Sequence, residues 1–447
     1  YSQIIEGRCK KPDYAFKIGH ELKFFLEAKK PSVNIKESKD SAYQARRYGF
    51  NAGIPVILTD FEEFSVYDIH EPQPNDDASV ARRHYFTFKD YLEQWEEISG
   101  LFSRESVECG SLNQFAHQGG RKGSEGIDIK FLKDIEQWRS SLANNIALRN
   151  QKISERNLNT VVQKTLDRIL FLRICEDRGI EDEGSLKNLL KKKNIYKCLC
   201  KIYLDAEIKY NSSLFYFTKE KDKPTESYPE PEHLLLQIDD QQLSNIISRL
   251  YFPESPYEFS VMPVEVLGQV YEQFLGKIIF LGEDHSVTVE EKPAVKKAGG
   301  IYYTPSYIVD YIVENTVGTI LSKVKTIKKA DKIKIVDPAC GSGSFLLGAY
   351  QYLLDWYLKK YAEKKVKDEK VLYKGMYEDW HLTVAEKKRI LLNNIYGVDI
   401  DAQAVEVCKL SLLLKALEGE TKESIAHQRS LFRERALPDL SNNIKLI

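Results

Sequence analysis

Two segments of this chain share one plan, and that plan limits the fold more than anything else in it. KIKIVDPACGSGSFLLGAYQYLLDWYL and NNIYGVDIDAQAVEVCKLSLLLKALEG each read as an apolar strand, a turn-forming loop and a long helix. Two such βα units in series predict a parallel sheet, since the return from one strand to the next runs through a crossover helix. Two parallel strands do not make a domain. The text after them ends at SNNIKLI, and the chain opens on Tyr1 rather than Met. The expectation is therefore a piece of a longer protein. KKYAEKKVKDEK, between the two units, reads as a charged surface excursion.

The rest of the chain reads differently. In residues 1–107, YAFKI, FFLEA, PVILT and FEEFSVYDI predict strands, and SKDSAYQARRYGFNAG predicts a helix closed by glycine. Residues 108–128 contain GSLNQFAHQGGRKGSEG, a linker-like stretch too polar and glycine-rich to pack a core. Residues 129–290 are expected to be helical, with LNTVVQKTLDRILFLRICEDRGI as an amphipathic helix stopped by Gly179. On that helix, Arg168, Arg173, Glu176, Asp177 and Arg178 predict a buried or interfacial salt-bridge network. Residues 291–447 hold the βα units. The length of 447 residues suits two to four such domains.

Composition excludes some classes. The net charge of −1 gives the whole chain no pull on nucleic acid, although Lys29-Lys30, Arg46-Arg47, Arg82-Arg83 and the run Lys323–Lys334 are locally basic. Seven scattered cysteines without a CxxC pair argue against zinc, and Cys198 and Cys200 lack partners. A reduced cytoplasmic setting follows, with no membrane span and no signal peptide.

Two constellations carry chemistry. In PDYAFKIGHELKFFLEAKKP, Asp13 precedes one strand while Glu27 and Lys29 end the next, on one side of it. Two carboxylates and an intervening carbonyl suit Mg²⁺, which lowers the pKa of an attacking water, with a lysine to orient that water. Gln44 and Tyr48 lie four apart, on one helix face. The second constellation is the loop DPACGSGSF, where glycines allow close approach to a ligand at a helix N-terminus. Asp399, ending the next strand, suits ribose hydroxyls, and Asp401 suits a helix cap. The loop lacks GxGxxG, and no GxxxxGK[ST] is present, so neither a dinucleotide nor a triphosphate is favoured.

Pro12-Asp13, Glu27-Ala28-Lys29 and the Gln44/Tyr48 pair resemble the PD-(D/E)xK nucleases. The resemblance implies that Asp13 and Glu27 bind metal, that Lys29 and Gln44 join the catalytic group, and that Arg46 and Arg47 meet the DNA backbone. Glu6 is a candidate for the family's further acid. DPACGSGSF, YYTP and GVDID resemble motifs I, X and II of the N6-adenine DNA methyltransferases. That implies an S-adenosylmethionine site made by Tyr303, Thr304, Asp337, Ala339, Gly341, Gly343 and Asp399, with Phe345 as helix packing and Cys340 as a filler. The order of parts resembles the Type IIG restriction–modification enzymes. The fold so implied is multidomain α/β: a restriction-endonuclease-like domain, an all-helical connector and the start of a Rossmann-like methyltransferase. The partner implied is double-stranded DNA; the oligomeric state is not legible. The (N/D/S)PP(Y/F) tetrapeptide is absent, as is a target recognition domain, so this stretch is expected not to methylate by itself. Rival readings are a methyltransferase with a silent nuclease-like domain, a non-catalytic DNA-binding subunit and an ATP-driven translocating restriction subunit.

Overall fold

The computed structural model describes residues 12–18, 21–116, 126–210, 214–219, 230–264, 276–292, 304–364, 368–374, 380–420 and 437–447, with isolated positions between them. Glu6 and Tyr303 lie outside the described residues. Two compact units emerge. One comprises Tyr1–Phe131, Asp177–Gly179 and Ser248–Pro263; the other comprises the remainder.

The first unit is built on a five-stranded sheet. β1 (Tyr14–Ile18) pairs antiparallel with β2 (Glu21–Ala28). Helix α1 (Lys39–Ala52) carries the chain back so that β3 (Val56–Thr59) runs parallel to β2. β4 (Glu63–Tyr67) and β5 (Arg82–Thr87) then extend the sheet antiparallel, in the order β1-β2-β3-β4-β5. The Ser38 side chain caps the start of α1 by accepting from Ser41 N at 3.4 Å, and Gly53 ends it at φ +68°. Inside α1, a Cβ on Gly49 would stand 2.8 Å from both the Ile54 carbonyl oxygen and Val56 Cγ2. Glycine is what lets the helix lie so close to β3.

Both faces of this sheet are covered, which explains the unbroken apolar runs in FFLEA and PVILT. Phe25, Val56, Leu58 and Tyr67 pack with Ala42, Ala45 and Tyr48 of α1. Their strand neighbours Phe24, Ile57 and Val66 point the other way and pack with Leu101, Val107, Leu112 and Phe115. Burying side chains of this size contributes about 1.5–3 kcal/mol each. The second set corrects the linker reading. Leu112 and Phe115 fall within the polar stretch, yet both are buried, on and beside short helices α2 (Trp95–Phe102), α3 (Arg104–Glu108) and α4 (Asn113–Ala116). Two well-placed apolar residues outweigh the glycine-rich composition around them.

In the second unit, α5 (Ile127–Arg149, from Leu132 on), α6 (Glu155–Asp177, to Glu176), α7 (Ile195–Tyr210) and α8 (Asp240–Ser248) make the helical part. It is not all helix. A hairpin of β6 (Lys277–Leu281) and β7 (Val287–Glu291) lies where helix was expected. Asn159 of α6 gives and takes one hydrogen bond with the backbone of Ile279, at 2.8 and 3.0 Å, closing the hairpin's edge.

Helix α6 is not amphipathic either. From Thr165 to Glu176 every residue is buried. Of the expected salt-bridge network, Arg168 Nη2 meets Glu230 at 2.8 Å and Arg173 meets Glu176 at 3.7 Å, while Asp177 accepts from Phe259 N at 3.1 Å.

Helix α9 (Ser306–Val313) follows. Then β8 (Ile335–Asp337) leads into α10 (Ser344–Glu363), and β11 (Ile395–Asp399) into α12 (Ala402–Ala416). β8 and β11 are parallel, as the two βα units predict. The predicted pair becomes a triplet, because β12 (Ile444–Leu446) from SNNIKLI adds a third parallel strand in the order β12-β11-β8. The charged excursion, residues 359–370, starts as the last turn of α10, and a hairpin, β9 (Leu372–Lys374) with β10 (Trp380–Leu382), follows it before α11 (Val384–Asn394).

Candidate active sites

The hairpin register that pairs Tyr14 with Leu26 brings Asp13 level with the end of β2. Asp13 Oδ2 accepts from Ala28 N at 2.7 Å. Pairing of β2 with β3 continues past the strand end, where Lys29 N donates to the Thr59 carbonyl at 2.8 Å. The backbone is thus still extended at Lys29, and its side chain falls on the side of Glu27. Lys29 Nζ donates to Glu27 Oε1 at 2.7 Å and to Gln44 Oε1 at 2.9 Å. Gln44 Nε2 in turn donates to the Tyr48 hydroxyl at 3.0 Å, four residues along α1. Asp13, Glu27, Lys29, Gln44 and Tyr48 therefore form one connected cluster.

Glu27 is 4% exposed. One of its oxygens is taken by Lys29; the other, Oε2, is buried without a hydrogen-bond partner. Burial pushes its carboxyl pKa above the usual range, Lys29 pulls the other way, and the Asp13 charge adds to the rise. Burial, reinforced by Glu27, also drives the Tyr48 phenol well above its ordinary value. Orphaned buried oxygens are rare in folded proteins. Here one sits beside a second carboxylate, a donor set that fits a hard cation. Among the described residues no cluster of three or more His, Cys, Asp or Glu is placed to hold a metal. Two carboxylates suit Mg²⁺, which keeps waters and substrate phosphates as its other ligands.

Sequence reasoning missed Glu63, at the start of β4. Its Oε2 accepts from Ile35 N at 2.8 Å and its Oε1 from the Tyr85 hydroxyl, tying down the loop between Lys29 and α1. Its only signal was an acid opening a mostly apolar strand. Arg46 and Arg47 are a correction. They do not reach out to a backbone of DNA. Arg46 is fully buried on Asp76 at 3.1 Å, and Arg47 donates to the Tyr257 carbonyl at 2.6 Å and faces Glu258 at 3.4 Å.

The loop after β8 is held by backbone groups. Asp337 Oδ1 accepts from Ala339 N at 3.0 Å, and Cys340 N donates to the Val398 carbonyl at 2.9 Å. Asp399 Oδ2 accepts from Gly341 N at 2.9 Å, and its Oδ1 from Asp401 N at 2.8 Å. A carboxylate has about four acceptor sites, so Asp399 keeps acceptor capacity for hydroxyls. Asp401 caps α12 through Gln403 N at 2.9 Å and pairs with Lys292. Gly341 and Gly343 have φ +52° and +91°. A Cβ on Gly343 would stand 2.6 Å from Cys408 Sγ. Cys340 is buried beneath the loop, where a Cβ on Gly397 would meet its sulfur at 3.1 Å. Phe345 is half-buried in the first turn of α10.

Thr304, half-buried, stands two residues before α9, which packs against α10 with Val309 facing Gly348. Asp337 lies beside Gly397 in the sheet register, so Asp337 and Asp399 end adjacent strands. This loop fits a nucleoside-bearing cofactor by its φ-positive glycines and its two strand-end acids.

A charge cluster joins α6 to α12. Lys164 of α6 pairs with Glu230 and lies 3.6 Å from Glu406 of α12. Arg168 also donates to the Leu214 carbonyl at 2.8 Å and faces the Phe217 ring at 4.7 Å. Burial pushes the Glu230 carboxyl up, but His233, Lys164 and Arg168 outweigh it and hold its pKa far below the carboxylate range.

Residues 263–441 match the family described as N-6 DNA Methylase. Over 445 residues the chain is 34% identical to the Type II restriction enzyme and methyltransferase RM.Eco57I of Escherichia coli, covering 97% of this chain and 42% of that protein. It is 28% identical over 352 residues to the putative Type II restriction enzyme and methyltransferase RM.MjaORFECS2P of Methanocaldococcus jannaschii, covering 63% and 26%. The chain thus spans less than half the length of these relatives. Among solved structures, that of the Type IIL restriction-modification enzyme MmeI in complex with DNA covers 71% of this chain and 40% of that one. Its identity is 14% and its TM-score 0.36, too loose to carry an argument.

Proposed function

From the premise that this chain is a relative of the Type II restriction enzyme–methyltransferases, we propose that the protein it forms part of both cuts duplex DNA and methylates adenine N6. The observation that carries the cutting half is Glu27: a buried carboxylate with one oxygen on Lys29 and the other unpartnered, next to Asp13. Asp13 and Glu27 would hold Mg²⁺, which supplies a lowered water pKa and charge stabilisation at the phosphate. Lys29, fixed between Glu27 and Gln44, orients the attacking water and offsets charge developing on the phosphate oxygens. Gln44 and Tyr48 keep that ammonium in place from α1.

In the second unit, Asp337, Ala339, Gly341, Gly343 and Asp399, with Tyr303 and Thr304, would hold S-adenosylmethionine, whose sulfonium supplies the methyl group by direct displacement. The loop's backbone groups and the Asp399 carboxylate would do the binding. On this reading the domains are a nuclease over residues 1–107, whose core also takes in Leu112 and Phe115 of the stretch 108–128, a connector over 129–290 and a methyltransferase region over 291–447. A cytoplasmic setting accords with the DNA substrate and with the six free thiols among the described residues.

Two measurements test the proposal. Full-length protein incubated with unmethylated DNA should cut it only when Mg²⁺ is present, and Glu27→Ala should abolish cutting while leaving S-adenosylmethionine binding intact. Calorimetry should show S-adenosylmethionine binding that Asp337→Ala removes. Failure to cut under any cofactor condition defeats the nuclease half, and absence of cofactor binding defeats the other.

A further inference from the structure

The strongest unassigned surface is a lysine face on the connector. Between Lys187 and Lys201 the text KNLLKKKNIYKCLCK holds six lysines and no acid. Lys191, Lys192, Lys193, Lys197 and Lys201 are all exposed, and none of these five makes an ion pair among the described residues. Other lysines of the same unit are matched, Lys277 with Glu136, Lys387 with Glu420 and Lys409 with Glu406, while the exposed Lys328, Lys329 and Lys332 offer a second run for comparison.

The face is rigid. Leu189, Ile195, Tyr196, Leu199 and Cys200, interleaved with the lysines, are all buried. Asn194, in the left-handed region at φ +57°, turns the chain sharply between the Lys191–Lys193 run and α7. The Asp240 carboxylate caps the start of α7, accepting from Asn194 N at 2.9 Å and Ile195 N at 2.7 Å. Lys197 and Lys201 then follow one helical turn apart on the exposed side.

We propose that this face is a sequence-independent docking surface for the phosphate backbone of duplex DNA. The inference rests on the reading that the protein acts on DNA, and it assigns the non-specific grip to a place that neither candidate site contains. Five like charges held together on a packed element repel one another, and a polyanion relieves that repulsion while releasing its own counterions. Ordering costs are low because the backbone beneath is already anchored. No base edge is read by such a surface, so its contribution is uniform across sequences.

The test uses full-length protein with a fluorescent duplex of arbitrary sequence, its affinity read by anisotropy over a range of NaCl concentrations. The triple variant Lys191→Gln/Lys192→Gln/Lys193→Gln should bind about tenfold or more weakly, and its log–log salt slope should be shallower by about two to three. Its S-adenosylmethionine affinity should be unchanged, which shows that the fold is intact. Unchanged DNA affinity and slope in that variant would overturn the inference. So would an equal loss from Lys328→Gln/Lys329→Gln/Lys332→Gln, since any lost charge would then suffice. If the unmodified protein binds no duplex at all, the DNA-acting reading itself fails, an outcome distinct from the other two.

Discussion

The two candidate sites solve the problem of holding charge in opposite ways. At the end of β2 the chemistry resides in side chains: Glu27, Lys29 and Gln44 are joined directly through the Lys29 ammonium, Asp13 holds the Ala28 N–H beside them, and one carboxylate oxygen is left buried and unmatched. After β8 it resides in the backbone: acids there are spent on N–H groups of the loop, and glycines supply conformations that other residues resist. The first site is therefore intolerant of changes in side-chain identity and stores destabilisation. The second is intolerant of added atoms and depends on what braces the loop.

The largest expected effect probes the first site. Lys29→Ala should lower the rate of DNA cleavage about 10²–10³-fold, the usual cost of losing one stabilising donor, with S-adenosylmethionine binding unaltered; a change below tenfold would erase the contrast. The next probes the bracing of the second. Glu230→Ala leaves Arg168 buried beside Lys164 without its carboxylate and should cost about 3 kcal/mol in chemical denaturation. Cofactor affinity should weaken as well, because Lys164 and Glu406 link this cluster to α12. The depressed Glu230 carboxyl adds that its contribution, full above the ordinary carboxylate range, is lost as pH falls through its lowered value.

A third change acts on the loop itself. Gly343→Ala places a Cβ against Cys408 at a positive φ, and about 2 kcal/mol of strain should appear as lost S-adenosylmethionine affinity. The smallest effect is also the most discriminating. The raised Glu27 carboxyl favours folding below the ordinary carboxylate range, and that advantage is gone once pH rises through its elevated value. Glu27→Gln should accordingly stabilise the protein by about 1 kcal/mol at pH 8 while abolishing cleavage. Thermal melts should show that gain shrinking as pH falls from the elevated Glu27 value to the ordinary carboxylate range.

What was legible in the sequence follows the same contrast. The Asp13–Glu27–Lys29–Gln44–Tyr48 grouping could be read because residue type and strand or helix period together determine which side chains meet. The parallel pairing of β8 and β11 could be read because strand–loop–helix text admits few returns. The buried state of Arg46 and Arg47 could not, because their partners Asp76 and Glu258 are remote in sequence. Leu112 and Phe115 were hidden by the glycines around them, and the β6–β7 hairpin by the helical text on either side. Helix α6 was misread as two-faced for a related reason: its charges are neutralised by Glu230 and Glu176, which periodicity does not weigh.

The strand formed by Ile444–Leu446 has a bearing on Asp399 that its modest length conceals. Asn443 grips Leu392 and Ile395 with its side chain and Gly397 with its carbonyl, and Ile447 N reaches the Asp399 carbonyl at 3.0 Å. These closing residues work as a splint along the outer flank of β11. Trimming them would leave the acid that meets Gly341 hanging from a strand clamped on one side only.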